Sequence, residues 1–521
     1  MRNIFILTLM ASYFSTYGQE PFMNFYGSGG SAKMNLDTLF NGNIWGSYAL
    51  SSGTGVLDRN GTVIHAQSYA IDTFMFMQSI RKVNDNEFAF AGIYRKDSCE
   101  LYDLPISKPA LGRMDSLGNI LSCSYYRFTD NCKGGFGGDL LVTEDNNILV
   151  WGRDNRFFAI RTDVTGSVRW AHRFANSGGI SFIKELPGGD LIAGMNMDTA
   201  GAVVTRMTSD GNILWSKSYF RPRGMMTDCL IGTDGAFTVI GFNDSSATTV
   251  GFLEPADPSY QPKLVMLHLD GAGEVQWSKT YDSAPNYWYT RDGARIELSA
   301  DGNAIIYGNI GLPGYNSPYR PFLMKTDLNG DTLWTRSYGA IGDLYNVRDV
   351  LPCNDGSILC SGGELWQGSF LFRTDTLGYL PCHNQTHQLA VTEIFPTDSA
   401  VTLSYTEGAE DFPAFLTPVS YPLSAVTDAC MTGIAGHSRA RGRIRIRPNP
   451  TPGRITVSFP DPLERDTYYS VIDATGRLLY QRPLPAGGTE EDIDLSRFGA
   501  GTYILRITDP DGQRNERVVV E

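Results

Sequence analysis

Apolar and polar residues alternate along most of the chain in short runs of five to eight, separated by Gly, Asp, Asn and Ser. That pattern predicts β-strands joined by tight turns, with no sustained helical periodicity. One unit recurs: an apolar strand, a D-x-x-G turn, then a strand that often carries Trp. It reads GVLDRNGTVIHAQSY at 55–69, FAIRTDVTGSVRWAHRF at 158–174 and FLMKTDLNGDTLWTRSY at 322–338. The turn glycines are Gly61, Gly118, Gly166, Gly211, Gly273, Gly330 and Gly378, and Trp170, Trp215, Trp277 and Trp334 each follow by four residues. Asp opens such a turn by accepting backbone N–H groups, and Gly takes the positive φ that side chains resist. The Trp then returns to one face and packs on the neighbouring unit.

A second apolar strand ending in Gly precedes most hairpins, as in NNILVWG (146–152), GAFTVIG (235–241) and GSILCSG (356–362). One further strand gives four per unit, the period of a propeller blade, and seven hairpins predict seven blades. The spacing between turn glycines runs from 45 to 62 residues because three units carry insertions, at about 93–110, 242–263 and 309–321. These occupy equivalent positions and so gather on one face, where a binding surface would lie. They bring Tyr94, Tyr102, Phe252, Tyr260, Tyr315 and Tyr319, with Tyr287, Trp288 and Tyr289 close by. Tyr287, Trp288, Tyr289, Tyr315 and Tyr319 are the candidate ligand-binding residues.

Composition adds an address. Arg2 followed by the apolar run Ile4 to Met10 reads as a signal peptide over 1–18, with cleavage expected after Gly18. No other stretch reaches the about 18 apolar residues needed to span a bilayer. Hydrophobic residues at 42% and charged residues at 19% are ordinary for folded domains, and the net charge of −13 argues against a nucleic-acid partner. Eight Cys in an exported chain permit disulfides. Cys382–Cys430 is the favoured pair because these two bracket the end of the repetitive body over 19–430; the other pairings stay open.

A Gly- and Arg-rich linker over 431–446 leads into a different pattern at 447–521, with strands alternating around Gly turns as in a small Ig-like β-sandwich. Its motifs are Pro448-Asn449-Pro450 with Gly453, then Val471, Asp473 and Gly476, then Gly499-Ala500-Gly501-Thr502-Tyr503, then a terminal strand Arg517 to Val520. In order and position these resemble the type A C-terminal sorting domain of the type IX secretion system. The resemblance implies handling by type IX machinery, passage through periplasm and outer membrane, and release or attachment at the cell surface. The fold class is thus all-β, a seven-bladed β-propeller followed by a sorting domain. The Trp-bearing hairpin also resembles the tryptophan-docking repeats of quinoprotein-type propellers, which implies blade locking and not a quinone.

Chemical motifs are sparse. His383 and His387 lack the helical context and intervening Glu of a zinc site, and Asp327 to Asp331 lacks the downstream Glu of a calcium loop. No nucleophile elbow or P-loop appears. The sequence therefore predicts no catalytic residues, metal or cofactor, and favours a non-enzymatic module for glycan or protein ligands. A glycan hydrolase or lyase, or a structural component of the cell surface, are the alternatives. Asp-Ser/Thr-apolar tripeptides at Asp115, Asp282, Asp331 and Asp375, among others, resemble an O-glycosylation sequon of bacteria with this secretion system.

Overall fold

The computed structural model describes residues 22–426 and 445–521, apart from segments at strand connections, of which the longer are 28–33, 129–135, 244–261, 312–318, 340–344 and 460–467. The chain divides into two units, Met1–Val426 and Thr427–Glu521. The expected signal peptide, the linker, and both Cys382 and Cys430 lie outside the described residues.

The first unit holds seven antiparallel sheets, each with four strands in simple up-and-down order. Blade 1 begins at Met34–Thr38, blade 2 at Phe74–Asn84, blade 3 at Phe136–Val142 and blade 4 at Gly178–Glu185. Blade 5 begins at Gly224–Ile231, blade 6 at the split strand Tyr287–Trp288 and Arg295–Leu298, and blade 7 at Tyr345–Pro352. Each of these innermost strands packs on that of the next blade, and blade 7 packs on blade 1, closing a ring around a central channel. This is a seven-bladed β-propeller, as the repeat predicts.

The expected hairpin chemistry is present. All seven turn glycines have positive φ, from 69° at Gly378 to 91° at Gly166. In the turn at 270–274, Asp270 accepts the N–H groups of Ala272 and Glu274 at 2.9 Å each. The Trp and the Tyr four residues later dock onto the turn of the following blade. Trp170 donates to Ser209 O at 2.9 Å, and Tyr219 and Tyr338 donate to Gly273 O and Gly378 O, both at 2.7 Å. A methyl group at Gly330 would sit 2.9 Å from the Trp277 ring, so glycine is required there by packing as well as by φ.

The glycine ending the second strand has a separate cause. In blades 2, 3, 4, 5 and 7 the innermost strand carries a β-bulge, and the second-strand glycine faces it. A Cβ at Gly241 would lie 2.0 Å from Met225 O, and one at Gly362 would lie 2.0 Å from Asn346 O. At these two positions only glycine admits the displaced backbone.

Two features exceed the repeat. Blade 7 takes its fourth strand from the N-terminal segment Phe22–Gly27, which pairs with Gly368–Thr374 and so closes the ring non-covalently. Residues 384–426 then run back around the outside and add a fifth strand to every blade. In order they are Asn384–Gln385 on blade 6, Ala390–Glu393 on blade 5, Ser399–Ala400 on blade 4 and Tyr405–Glu407 on blade 3. Glu410–Pro413, Thr417–Ser420 and Ser424–Val426 complete blades 2, 1 and 7. This belt covers edges that would otherwise present unpaired backbone groups.

The second unit packs a three-stranded sheet (Arg445–Arg447, Arg454–Ser458, Glu490–Asp494) on a four-stranded one (Leu478–Pro483, Tyr468–Asp473, Gly501–Asp509, Gly512–Val520). Ile455, Val457 and Ile493 from the first meet Val471, Leu505, Ile507 and Val518 from the second in one buried core.

Candidate functional site

Because every strand pair is antiparallel, the connections between second and third strands all emerge on one face of the propeller. The three insertions occupy that connection in blades 2, 5 and 6. The insertion at 93–110 is not a loop: it lengthens strands Glu87–Cys99 and Tyr102–Asp115 into a hairpin paired out to Cys99 and Tyr102. Tyr94 is buried in it and stacks on Tyr125 at 5.1 Å, which stacks on Phe412 of the belt at 5.2 Å.

The candidate aromatics separate. Trp288 is fully buried, at 0% exposure, and donates its indole N–H to Tyr281 O at 3.0 Å. Its ring packs between Phe242 of blade 5 and Phe322 of blade 6. This corrects the expectation for Trp288, which is an interblade core residue and offers no ring to a ligand. Tyr287 and Tyr319 are placed by their backbones on strands that pair with Gly311. Tyr289 and Tyr315 lie outside the described residues. Of the Asp-Ser/Thr tripeptides, Thr332 and Thr376 are exposed while Ser283 is buried.

The central channel holds a charged cluster that the sequence does not announce. In blades 2, 3, 5 and 7 the residue after the bulge borders the channel, as Ser79, Asp139, Asp228 and Asp349. The three Asp are each followed two residues later by Leu. In blades 2, 4 and 6 the later position holds Arg81, Lys184 and Glu297. Asp228 accepts the N–H of Cys229 at 2.9 Å and of Ile296 in blade 6 at 3.1 Å. Asp349 accepts Val350 N–H at 3.1 Å and Leu36 N–H of blade 1 at 2.8 Å, a second tie across the ring closure.

Asp139 pairs with Arg81 of blade 2 at 3.3 Å and with Arg295 of blade 6 at 3.4 Å, so one carboxylate links blades on opposite sides of the channel. Ser79 also donates to it. Burial pushes the Asp139 carboxyl upward, but Arg81, Arg295 and these hydrogen bonds outweigh it and hold the group well below the usual carboxylate range. Lys184 pairs with Asp228 at 3.2 Å. Glu297 has no such cation: burial, then Asp228 and Asp349, push its carboxyl up to about 7 against the pull of Lys184. Burial likewise raises Asp349, against Arg81. These groups border a cavity of about 180 Å³.

Among the described cysteines, Cys123, Cys229, Cys353 and Cys360 are free thiols. Burial pushes the Cys123 thiol up to about 12, which leaves it an inert packing group.

In the C-terminal unit the motif residues serve structure. Asn449 donates to Arg517 O at 2.6 Å and accepts Val519 N–H at 2.9 Å, tying the entry segment to the terminal strand. Pro448 and Pro450 flank it, both in cis peptide bonds. Gly453, at φ 132°, accepts Leu495 N–H at 2.6 Å. The Tyr503 hydroxyl donates to Phe498 O and to Gly499 O, the latter at 3.1 Å, while Gly501 passes beside its ring. Asp473 pairs through its backbone with Tyr503, and Gly476 lies outside the described residues.

The body is thus a propeller, and comparison identifies the unit that follows it. Residues 445–521 match the family described as the secretion system C-terminal sorting domain. The chain carries a type IX sorting domain, which marks it for secretion or for attachment at the cell surface through the outer membrane. No curated protein matches the sequence. Among solved structures, virginiamycin B lyase from Staphylococcus aureus is 13% identical with a TM-score of 0.43, over 68% of this chain and 99% of that one. The Neurospora crassa Pan2 WD40 domain is 12% identical with a TM-score of 0.40, over 66% and 89%. A protein of unknown function from Bacteroides caccae is 11% identical with a TM-score of 0.33, over 61% and 93%.

Proposed function

We propose that this exported propeller is a binding module that presents its insertion-bearing face to a glycan or protein ligand outside the cell. The observation that carries this reading is the placement of all three insertions at the same inter-strand connection, hence on one face of a rigid ring. The opposite face carries the short D-x-x-G turns, where Gly211, Gly273, Gly330 and Gly378 lie against the docking Trp of the preceding blade. Binding residues commonly sit on loops held by such a scaffold. Three of the channel carboxylates are likewise occupied by backbone N–H groups or cations, which favours a structural over a catalytic role for them.

The test is a screen of the exported chain against polysaccharides and extracellular proteins, with product analysis on the same samples. Saturable binding without product, weakened about tenfold or more by Tyr315→Ala or Tyr319→Ala, is the expected result; loss of one aromatic contact at a hot spot has that magnitude. Cleaved ligand would replace this reading with a hydrolase or lyase. Neither binding nor product would favour a structural surface component.

A further inference from the structure

The charges around the channel fall into two sets. Arg81 and Arg295 share Asp139, and Lys184 holds Asp228. Glu297 and Asp349 remain, on the adjoining innermost strands of blades 6 and 7. Among the described residues neither forms an ion pair. Asp349 meets only neutral donors: two backbone N–H groups and the Tyr307 hydroxyl at 3.4 Å. Glu297 has no hydrogen-bond partner, and both side chains border the same cavity. Arg348 also borders it and is itself engaged.

We propose that this cavity binds a small organic cation, an ammonium or guanidinium group on a short aliphatic stem, between Glu297 and Asp349. Glu297 and Asp349 repel each other across one cavity. The Arg81 and Arg295 charges that act on Asp349 leave Glu297 without a paired cation, so a cation placed there removes a cost incurred in a medium less polar than water. A hard metal ion fits poorly. It requires six or more oxygens, whereas the described residues bring together no group of three metal-ligating side chains. An anion fits poorly as well, since the carboxylates Asp139, Asp228, Asp349 and Glu297 outnumber the cations Arg81, Arg295 and Lys184 around the channel. At about 180 Å³ the cavity exceeds a single water several-fold. Leu36, Val347, Val350 and Leu351 line the same space and would cover the stem. The raised carboxyl of Glu297 agrees with this, because burial, with Asp228 and Asp349 nearby, favours its protonated form over the pull of Lys184.

The experiment is calorimetric titration of the full chain with agmatine, and with N-butylurea as a neutral counterpart, at pH 6 and pH 8. Agmatine should bind saturably, and about tenfold more tightly at pH 8, because Glu297 must lose its proton, which Lys184, Asp228, Asp349 and Arg81 all influence. N-butylurea should not bind. Glu297→Gln should weaken agmatine about tenfold and flatten the pH dependence. Absence of saturable agmatine binding at pH 8, equal binding of N-butylurea, or unchanged binding by the Gln variant would each overturn the proposal.

The unliganded Gln variant supplies a check on folding. The folded carboxyl lies above its unfolded value, so its contribution to stability is full at low pH and is lost as pH rises through about 7. The variant should therefore melt a few degrees above wild type at pH 8 and with it at pH 4. A variant that melts with wild type at both pH values would show that Glu297 carries no burial cost, and the site would fall with it.

Discussion

Deletion of residues 384–426, with the sorting domain kept, should abolish the folded monomer. The belt supplies the outer strand of all seven blades, and its side chains enter the body: Val401, Leu403 and Tyr405 pack on the core between blades 3 and 4, and Ile394 on that between blades 4 and 5. Its backbone is bonded between the paired stretches too, with Ala175 N–H donating to Ser404 O and Val401 N–H to Ser216 O, both at 2.9 Å. Removing it uncovers apolar surface and seven strand edges at once. The loss should be comparable with the whole stability of a domain, about 5–15 kcal/mol, and the bare edges should pair between molecules. Size-exclusion chromatography and calorimetry read the outcome: aggregates without a cooperative transition are expected. A monomer melting like the parent would show that the belt is ornamental.

Trp288→Ala should destabilise the body by about 3–5 kcal/mol, the range for emptying a buried aromatic site. The ring is among the largest wholly buried side chains, contacts Phe242 and Phe322, and leaves Tyr281 O without its donor when removed. Trp288→Phe should recover part of the packing but not the hydrogen bond, and so fall between the two. Urea unfolding measures both. A Trp288→Ala protein of parental stability with impaired ligand binding would return this residue to the binding surface.

What the sequence displays and what it hides follow from repetition. The D-x-x-G turns, the docking Trp and the Gly-ended second strands recur because each blade meets the same steric demand, so blade number and strand count are legible. Phe22–Gly27 and the belt escape notice because each belt strand is only two to four residues long and none repeats. Their register is imposed by the blade edges they cover and not by their own pattern. Trp288 reads as a loop aromatic because its strand pairing is only two residues long, Tyr287 with Gly311 and Trp288 with Ile310, and carries no alternating pattern of its own. The channel cluster is invisible for another reason: Arg81, Asp139, Lys184, Asp228, Glu297 and Asp349 come from six strands, and only ring closure brings them together. The sorting unit is legible because its motifs stand in a fixed order near residue 521, and Asn449, Gly453 and Tyr503 among them hold particular backbone contacts.

The central claim is an extracellular propeller delivered by residues 445–521, and cell fractionation in a type IX-secreting host tests it most directly. The full chain and a chain ending at residue 444 would be expressed side by side, and the propeller followed in periplasm, outer membrane and medium. The account predicts the body of the full chain at the cell surface or in the medium, and the shortened chain folded but retained in the periplasm. Equal appearance of both outside the cell would contradict it.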